Sequence, residues 1–138
     1  MNDEAKADPL RVVIVDDSPH FLDAARGVLQ GDGLTVVGCA SASAGALQLT
    51  RELQPDVVLV DVDLGEESGF DLAERFAATA TARVIMISVY PETELADLLV
   101  ASPAAGFVAK SELSANAIRK VLGREAGGGT ASALRERR

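Results

Sequence analysis

An α/β fold with a doubly wound, five-stranded parallel sheet is predicted by three observations. Five short apolar runs rich in β-branched residues recur along the 138-residue chain, each too brief to be a helix. A stretch of helical period follows each run, so strand and helix alternate five times. The runs are apolar nearly throughout, as expected of a parallel sheet covered on both faces.

The first run, Leu10 to Val15, is followed by Ser18-Pro19, a capping residue with proline at the first helical position, and Phe21, Ala25, Val28 and Leu29 then share a face. The second run is Leu34 to Val37; Ala46, Leu49 and Leu53 mark the next helix, which must end before Pro55. The third run, Val57 to Val62, precedes a helix marked by Phe70, Leu72, Ala73, Phe76 and Ala77. Val84 to Ile87 and Gly106 to Ala109 complete the sheet. Leu95, Leu98 and Leu99 mark the fourth helix, and Leu113, Ala117, Ile118, Val121 and Leu122 the fifth. One folded unit over 9–125 is expected. Residues 1–8 and 126–138, the latter containing GGGTASALRERR, lack an apolar period and read as a disordered and a flexible tail.

The composition narrows the function. Hydrophobic residues make up 48% of the chain and aromatic residues only 4%, so the core must be built from Val, Leu, Ile and Ala. A formal net charge of −8 argues against a nucleic-acid backbone or an anionic membrane as direct partner, and suits a basic protein surface or a divalent cation. Cys39 is alone and is expected to be buried and reduced. The N-terminus lacks the layout of a signal peptide and no apolar run approaches the roughly 20 residues that span a bilayer, which favours a cytoplasmic location.

In a doubly wound sheet, ligands bind beyond the carboxyl ends of the strands. The first strand delivers Asp16 and Asp17 to that edge, the third Asp61 and then Asp63, the fourth Ser88 and the fifth Lys110; the second delivers only Gly38, Cys39 and Ala40. Carboxylates brought that close repel unless a proton or cation offsets them. Mg²⁺ suits such a site because it takes one or two carboxylates and shares its other positions with water and phosphate oxygens. Lys110 then has a role on an incoming phosphoryl group. His20 has no metal-binding companion and reads as a surface residue.

VVIVDDSP, VVLVDVDLGEESG, VIMIS and GFVAKS, in this order and spacing, resemble the receiver domain of two-component response regulators, over roughly Arg11 to Gly123. The resemblance implies a flavodoxin-like (βα)5 fold with strand order 2-1-3-4-5. It implies that Asp61 is phosphorylated by a histidine kinase or phosphotransfer protein, and that Mg²⁺ is held by Asp16, Asp17, Asp61 and the backbone carbonyl of Asp63. By the same resemblance, Lys110 and Ser88 stabilise the phosphoryl group, Ser88 and Phe107 act as the switch pair, and Asp63 and Tyr90 tune phosphoryl lifetime. The output is then a changed face formed by the fourth helix, fifth strand and fifth helix, which controls a downstream protein and allows a homodimer. The chain reads as a receiver without its own output domain, catalysing only its own phosphorylation and dephosphorylation.

Three departures from the family pattern stand out. Gly65 replaces a proline, with Glu66 and Glu67 adding negative charge near the metal position; Ser111 follows Lys110 where a cis proline is common; and Pro103 stands where a glycine commonly ends the fourth helix. Two other functions compete with this reading. Asp61-Val62-Asp63 also resembles the nucleophile motif of haloacid-dehalogenase phosphatases, but those carry the nucleophile on the first strand and the second acidic pair late. A phosphorylation-independent interaction module would require a degraded acidic site, whereas Asp16, Asp17, Asp61, Ser88 and Lys110 all carry competent side chains.

Overall fold

The structure, a computed structural model, describes residues 9–79 and 82–123. Both expected tails, and the last two residues of the expected folded unit, lie outside the described residues. Strands β1 (Arg11–Val15), β2 (Thr35–Ala40), β3 (Val57–Asp61), β4 (Arg83–Ser88) and β5 (Gly106–Ala109) form one parallel sheet in the order β2-β1-β3-β4-β5. The winding reverses between β1 and β3, which places their carboxyl ends side by side at the switch point.

Alternation along each strand divides the core. Val12, Ile14, Val57, Leu59, Ile85 and Ile87 face α1 (Pro19–Gly31) and α5 (115–123), where they meet Ala25, Leu29, Ile118 and Val121. Val13, Val15, Val58, Val60, Val84 and Met86 face the other way, onto Ala46 of α2 (Ser43–Leu53) and Leu72, Ala73 and Phe76 of α3 (Gly69–Thr79). All five residues of β3 are buried. Burying one such side chain stabilises the fold by about 1.5–3 kcal/mol, so the central strands are its most firmly held part. Gly106 is required on β5, because a Cβ there would stand 2.6 Å from Val121 Cγ1.

Helix α1 starts as the sequence predicts. Ser18 is the cap, its hydroxyl accepting from the Phe21 amide at 3.2 Å, and Pro19 follows in the first turn. Helix α2 ends at Leu53, with Gln54 in the left-handed conformation before Pro55. Several expectations need correction. Val28 is 45% exposed, and Leu22 takes its place on the buried face of α1. Strand β2 runs on to Ala40 because pairing with β1 skips Val37 and resumes at Gly38, and this leaves Cys39 partly exposed. The fourth helix is a 3₁₀ turn (Glu92–Leu95) followed by a short α4 (Ala96–Ala101), with no fully buried residue in either. Leu98 is 54% exposed, and Leu99 packs on the core instead. The segment after β3 contains an unforeseen miniature hairpin, Asp63–Leu64 against Glu67–Ser68. No peptide bond among the described residues is cis, including that between Lys110 and Ser111.

Phe76 is among the largest fully buried side chains. Phe76→Ala is expected to destabilise the fold by about 3–5 kcal/mol, seen as a lower urea midpoint at unchanged slope.

Candidate functional site

Four strand ends build the site. Asp16 follows β1 immediately, and its amide donates to the Ala40 carbonyl at 3.0 Å, which carries the strand pairing one residue past β1. The side chain is fully buried. Its Oδ1 accepts from the Ser18 amide at 2.9 Å, so the carboxylate is fixed by the same turn that starts α1. Its Oδ2 lies 2.7 Å from Lys110 Nζ, a close ion pair. Asp17, one residue on, is exposed. One carboxylate oxygen from each of Asp16, Asp17 and Asp61 lies within 4.8 Å of the others.

Asp61 is the last residue of β3, paired with Ile87 on β4. Its Oδ1 accepts from the Asp63 amide at 3.1 Å, and its Oδ2 accepts from Lys110 Nζ at 3.1 Å. Burial pushes the Asp61 carboxyl above its ordinary value, helped by the charge of Asp16 and opposed by the Asp63 amide and Lys110. Burial works against the Lys110 ammonium, but its contacts with Asp16 and Asp61 prevail, so its pKa is raised and the charge retained.

Ser88 ends β4 and pairs with Ala109, so Ser88 and Lys110 stand at neighbouring strand ends. The Ser88 hydroxyl is buried and accepts from the Tyr90 amide at 2.9 Å. The Tyr90 side chain is half-exposed. Phe107 on β5 is partly buried against the core that faces α3 and α4. Asp63 is exposed, its Oδ1 accepting from the Gly65 amide at 3.1 Å. The structure thus gathers Asp16, Asp17, Asp61 and Lys110 at one point, with Ser88 on the adjoining strand end. The side chains of Asp63 and Tyr90 are exposed, and that of Phe107 packs on the core.

Three further residues shape the site. The Phe21 ring lies under the Lys110 ammonium, 4.4 Å from Nζ to centroid, and so offers it a third attractive contact. Phe21 falls one helical turn after Asp17, a spacing that could have marked it, although its apolar character reads first as core. Gly69 is required because a Cβ there would overlap the Asp61 carbonyl oxygen. Glu67, expected to add charge beside the metal position, instead accepts from the Ser43 amide at 2.8 Å.

The donors present fit a hard divalent cation. Three carboxylate oxygens converge, and Lys110 already contacts two of the groups, leaving Asp17 with an open, solvent-facing carboxylate. Gly65 has φ +78°, and a Cβ at this position would stand 3.2 Å from Asp17 Oδ2, so the loop runs close beside that carboxylate. Such oxygen donors with room for water are what Mg²⁺ selects.

Comparison with known proteins agrees with this architecture. Residues 12–122 match the family described as response regulator receiver domain. MctR of Rhizobium johnstonii, a transcriptional regulatory protein, is 34% identical over 123 residues, covering 88% of this chain and 57% of the relative. A protein-glutamate methylesterase/protein-glutamine glutaminase of Myxococcus xanthus is 37% identical over 102 residues, covering 72% of this chain and 29% of the relative. The chain thus spans little more than half of one relative and under a third of the other. Among solved structures, the signal receiver domain of NarL from Mycobacterium tuberculosis superposes with a TM-score of 0.75 at 30% identity, over 88% of this chain and 99% of that one. The response regulator domain of Thermotoga maritima CheB shares the fold, with a TM-score of 0.71 at 22% identity, over 86% of this chain and 97% of that one. Among the described residues no helix is long and apolar enough to cross a membrane. On the match over 12–122 and on the strand-end geometry, the chain belongs to the response regulator receiver domains of two-component signalling.

Proposed function

We propose that Asp61 is the phosphoacceptor of this receiver, with Asp16, Asp17 and the Asp63 carbonyl completing a Mg²⁺ site, Lys110 and Ser88 on the phosphoryl group, and Phe107 following Ser88. The observation that carries this reading is Lys110 Nζ, 2.7 Å from Asp16 and 3.1 Å from Asp61. A buried carboxylate beside an ammonium and two further carboxylates is a nucleophile poised at a place that receives both a cation and an anion.

The donor is a phosphohistidine on a kinase or phosphotransfer protein. A carboxylate oxygen of Asp61 attacks phosphorus, the new O–P bond forms as the P–N bond breaks, and the electron pair leaves with the imidazole, which is then protonated. Mg²⁺, when bound, supplies positive charge against the phosphoryl oxygens. Lys110 holds its proton throughout and turns from the esterified carboxylate to those oxygens. Ser88 exchanges the Tyr90 amide for the same group. The product is an acyl phosphate whose hydrolysis the chain also promotes, and Asp63 and Tyr90 flank the path of the attacking water. The output is a changed face at α4, β5 and α5 that binds a downstream protein or a second copy, in a cytoplasmic setting. A single folded unit bounded at 9–125 is part of this reading, and the family match over 12–122 supports it. The likeness to MctR supports a link to transcriptional control, and no direct contact of this unit with nucleic acid is proposed.

Incubation with Mg²⁺ and a small phosphodonor such as acetyl phosphate is expected to add the mass of one phosphoryl group. The adduct should be absent in Asp61→Asn and after chelation of the metal. An adduct that persists in Asp61→Asn would reassign the acceptor, and steady phosphate release with no adduct would favour a phosphatase.

The pH dependence of stability follows from the raised Asp61 pKa. The folded chain binds this proton more tightly than the unfolded chain, so Asp61 makes stability fall as pH rises from the ordinary carboxylate value through the native pKa. Without divalent metal, Asp61→Asn should therefore melt a few degrees above the parent at pH 7, and this advantage should vanish as pH falls below the unfolded value. Added Mg²⁺ should raise the parent's melting temperature and leave that of Asp61→Asn nearly unchanged. Thermal melts with chelator or Mg²⁺ check all three.

A further inference from the structure

The loop between Asp61 and α3 carries both the Asp63 carbonyl and Gly65, and is anchored at its two ends. At its start the Asp63 amide donates to Asp61 Oδ1 and the buried Leu64 packs into the core. At its finish the Gly69 amide donates to the Val62 carbonyl at 2.9 Å, and the Phe70 amide to Ser68 Oγ at 3.1 Å. Between these anchors the exposed tip, Gly65-Glu66-Glu67, projects beside Asp17. Glu67 ties that tip to another element, because its Oε1 accepts from the Ser43 amide in the first turn of α2, 24 residues earlier.

Helix α2 has a matching need. Its N-cap, Ala42, is extended and has no side chain to satisfy the first amides. Glu67 supplies that acceptor from across the molecule, and its negative charge stands at the positive end of the helix. The Ser43 amide and hydroxyl hold its carboxyl below the ordinary glutamate value. Within the hairpin Glu67 pairs with Leu64, and Ser68 with Asp63. A displacement at Glu67 is therefore passed across two rungs to the backbone of Asp63.

We propose that Glu67 is a positioning residue for the cation site: clamped to the N-terminus of α2, it fixes the hairpin that presents the Asp63 carbonyl and holds Gly65 against Asp17. This rests on the Mg²⁺ reading above. It differs from a charge effect, in which any nearby carboxylate would serve, and from a purely structural cap, in which only α2 would gain.

Calorimetric titration of Mg²⁺ into the phosphoryl-free protein separates these accounts, with melting temperature recorded in parallel. Glu67→Ala is expected to weaken Mg²⁺ about tenfold, the low end of what loss of an outer partner costs a metal site. Glu67→Gln keeps an oxygen acceptor for the Ser43 amide and should retain most of the affinity. Ala42→Ser, added to Glu67→Ala, gives α2 a local cap and should recover melting temperature without recovering affinity. The proposal is overturned if Glu67→Ala binds as the parent does, if Glu67→Gln loses as much as Glu67→Ala, or if Ala42→Ser alone restores the affinity. Absence of saturable binding by the parent would instead remove the Mg²⁺ reading itself, and this clamp with it.

Discussion

The Lys110 ammonium between Asp16 and Asp61 is the contact on which the remaining geometry depends. Two unit charges about 4 Å apart at an effective dielectric near 20 interact by roughly 4 kcal/mol, so carboxylates this close would drive the strand ends apart if left alone. Lys110 offsets the two buried ones. The Ser18 and Asp63 amides each bond one of the remaining oxygens, and Phe21 gives the ammonium an apolar floor. Asp17 stays in solvent, where water screens it. Three carboxylates against one ammonium leave the site two positive charges short, the charge of one divalent cation.

The sheet makes that arrangement stiff. Asp16, Asp61 and Ser88 stand at the ends of mostly buried strands, and Lys110 follows the partly buried edge strand β5, so their Cα positions are fixed by hydrogen-bonded register. The backbone must also come unusually close in one place. Gly69 lets the start of α3 lie against the Asp61 carbonyl, which turns the chain sharply back after Asp61. The proposed binding of a dianion and a dication at one site needs such a frame, because side chains free to relax would neutralise one another.

How far the sequence revealed this depends on what each feature rests upon. Runs such as Val57 to Val60 are legible because burial on both faces leaves a continuous apolar signature. The carboxylates and Lys110 are legible because a doubly wound sheet sends the residues after its strands to one edge. Strand β2 is harder to bound, since Gly38-Cys39-Ala40 has no strand preference of its own and is extended by pairing with β1. Across the 3₁₀ turn and α4 the spacing of Leu95, Leu98 and Leu99 is helical, but spacing alone does not say which leucine turns inward in so short a segment. Phe21 under Lys110 and Glu67 on Ser43 depend on side-chain direction and on partners 89 and 24 residues away. The spacing of Phe21 from Asp17 is the one local hint, and it does not reveal the partner.

The weakest packing lies beside the strongest electrostatics. Ser88 is buried at the end of β4, yet its hydroxyl bonds the Tyr90 amide at the start of a segment in which Val89 is 75% exposed and neither the 3₁₀ turn nor α4 buries a residue. In the proposed reaction the Ser88 hydroxyl, which accepts from the Tyr90 amide, rotates away from it to donate to a phosphoryl oxygen, a charge-assisted bond roughly twice as strong as a neutral one. The freed amide belongs to an exposed residue, where water replaces the lost partner at little cost. The segment it leaves behind has few buried contacts to resist a shift, which is the condition for local opening well below the free energy of global unfolding. In that proposal, phosphoryl charge added at a rigid edge is expressed where the described residues are weakly packed, at α4 and the loop before it, while β3 and Asp61 remain in place.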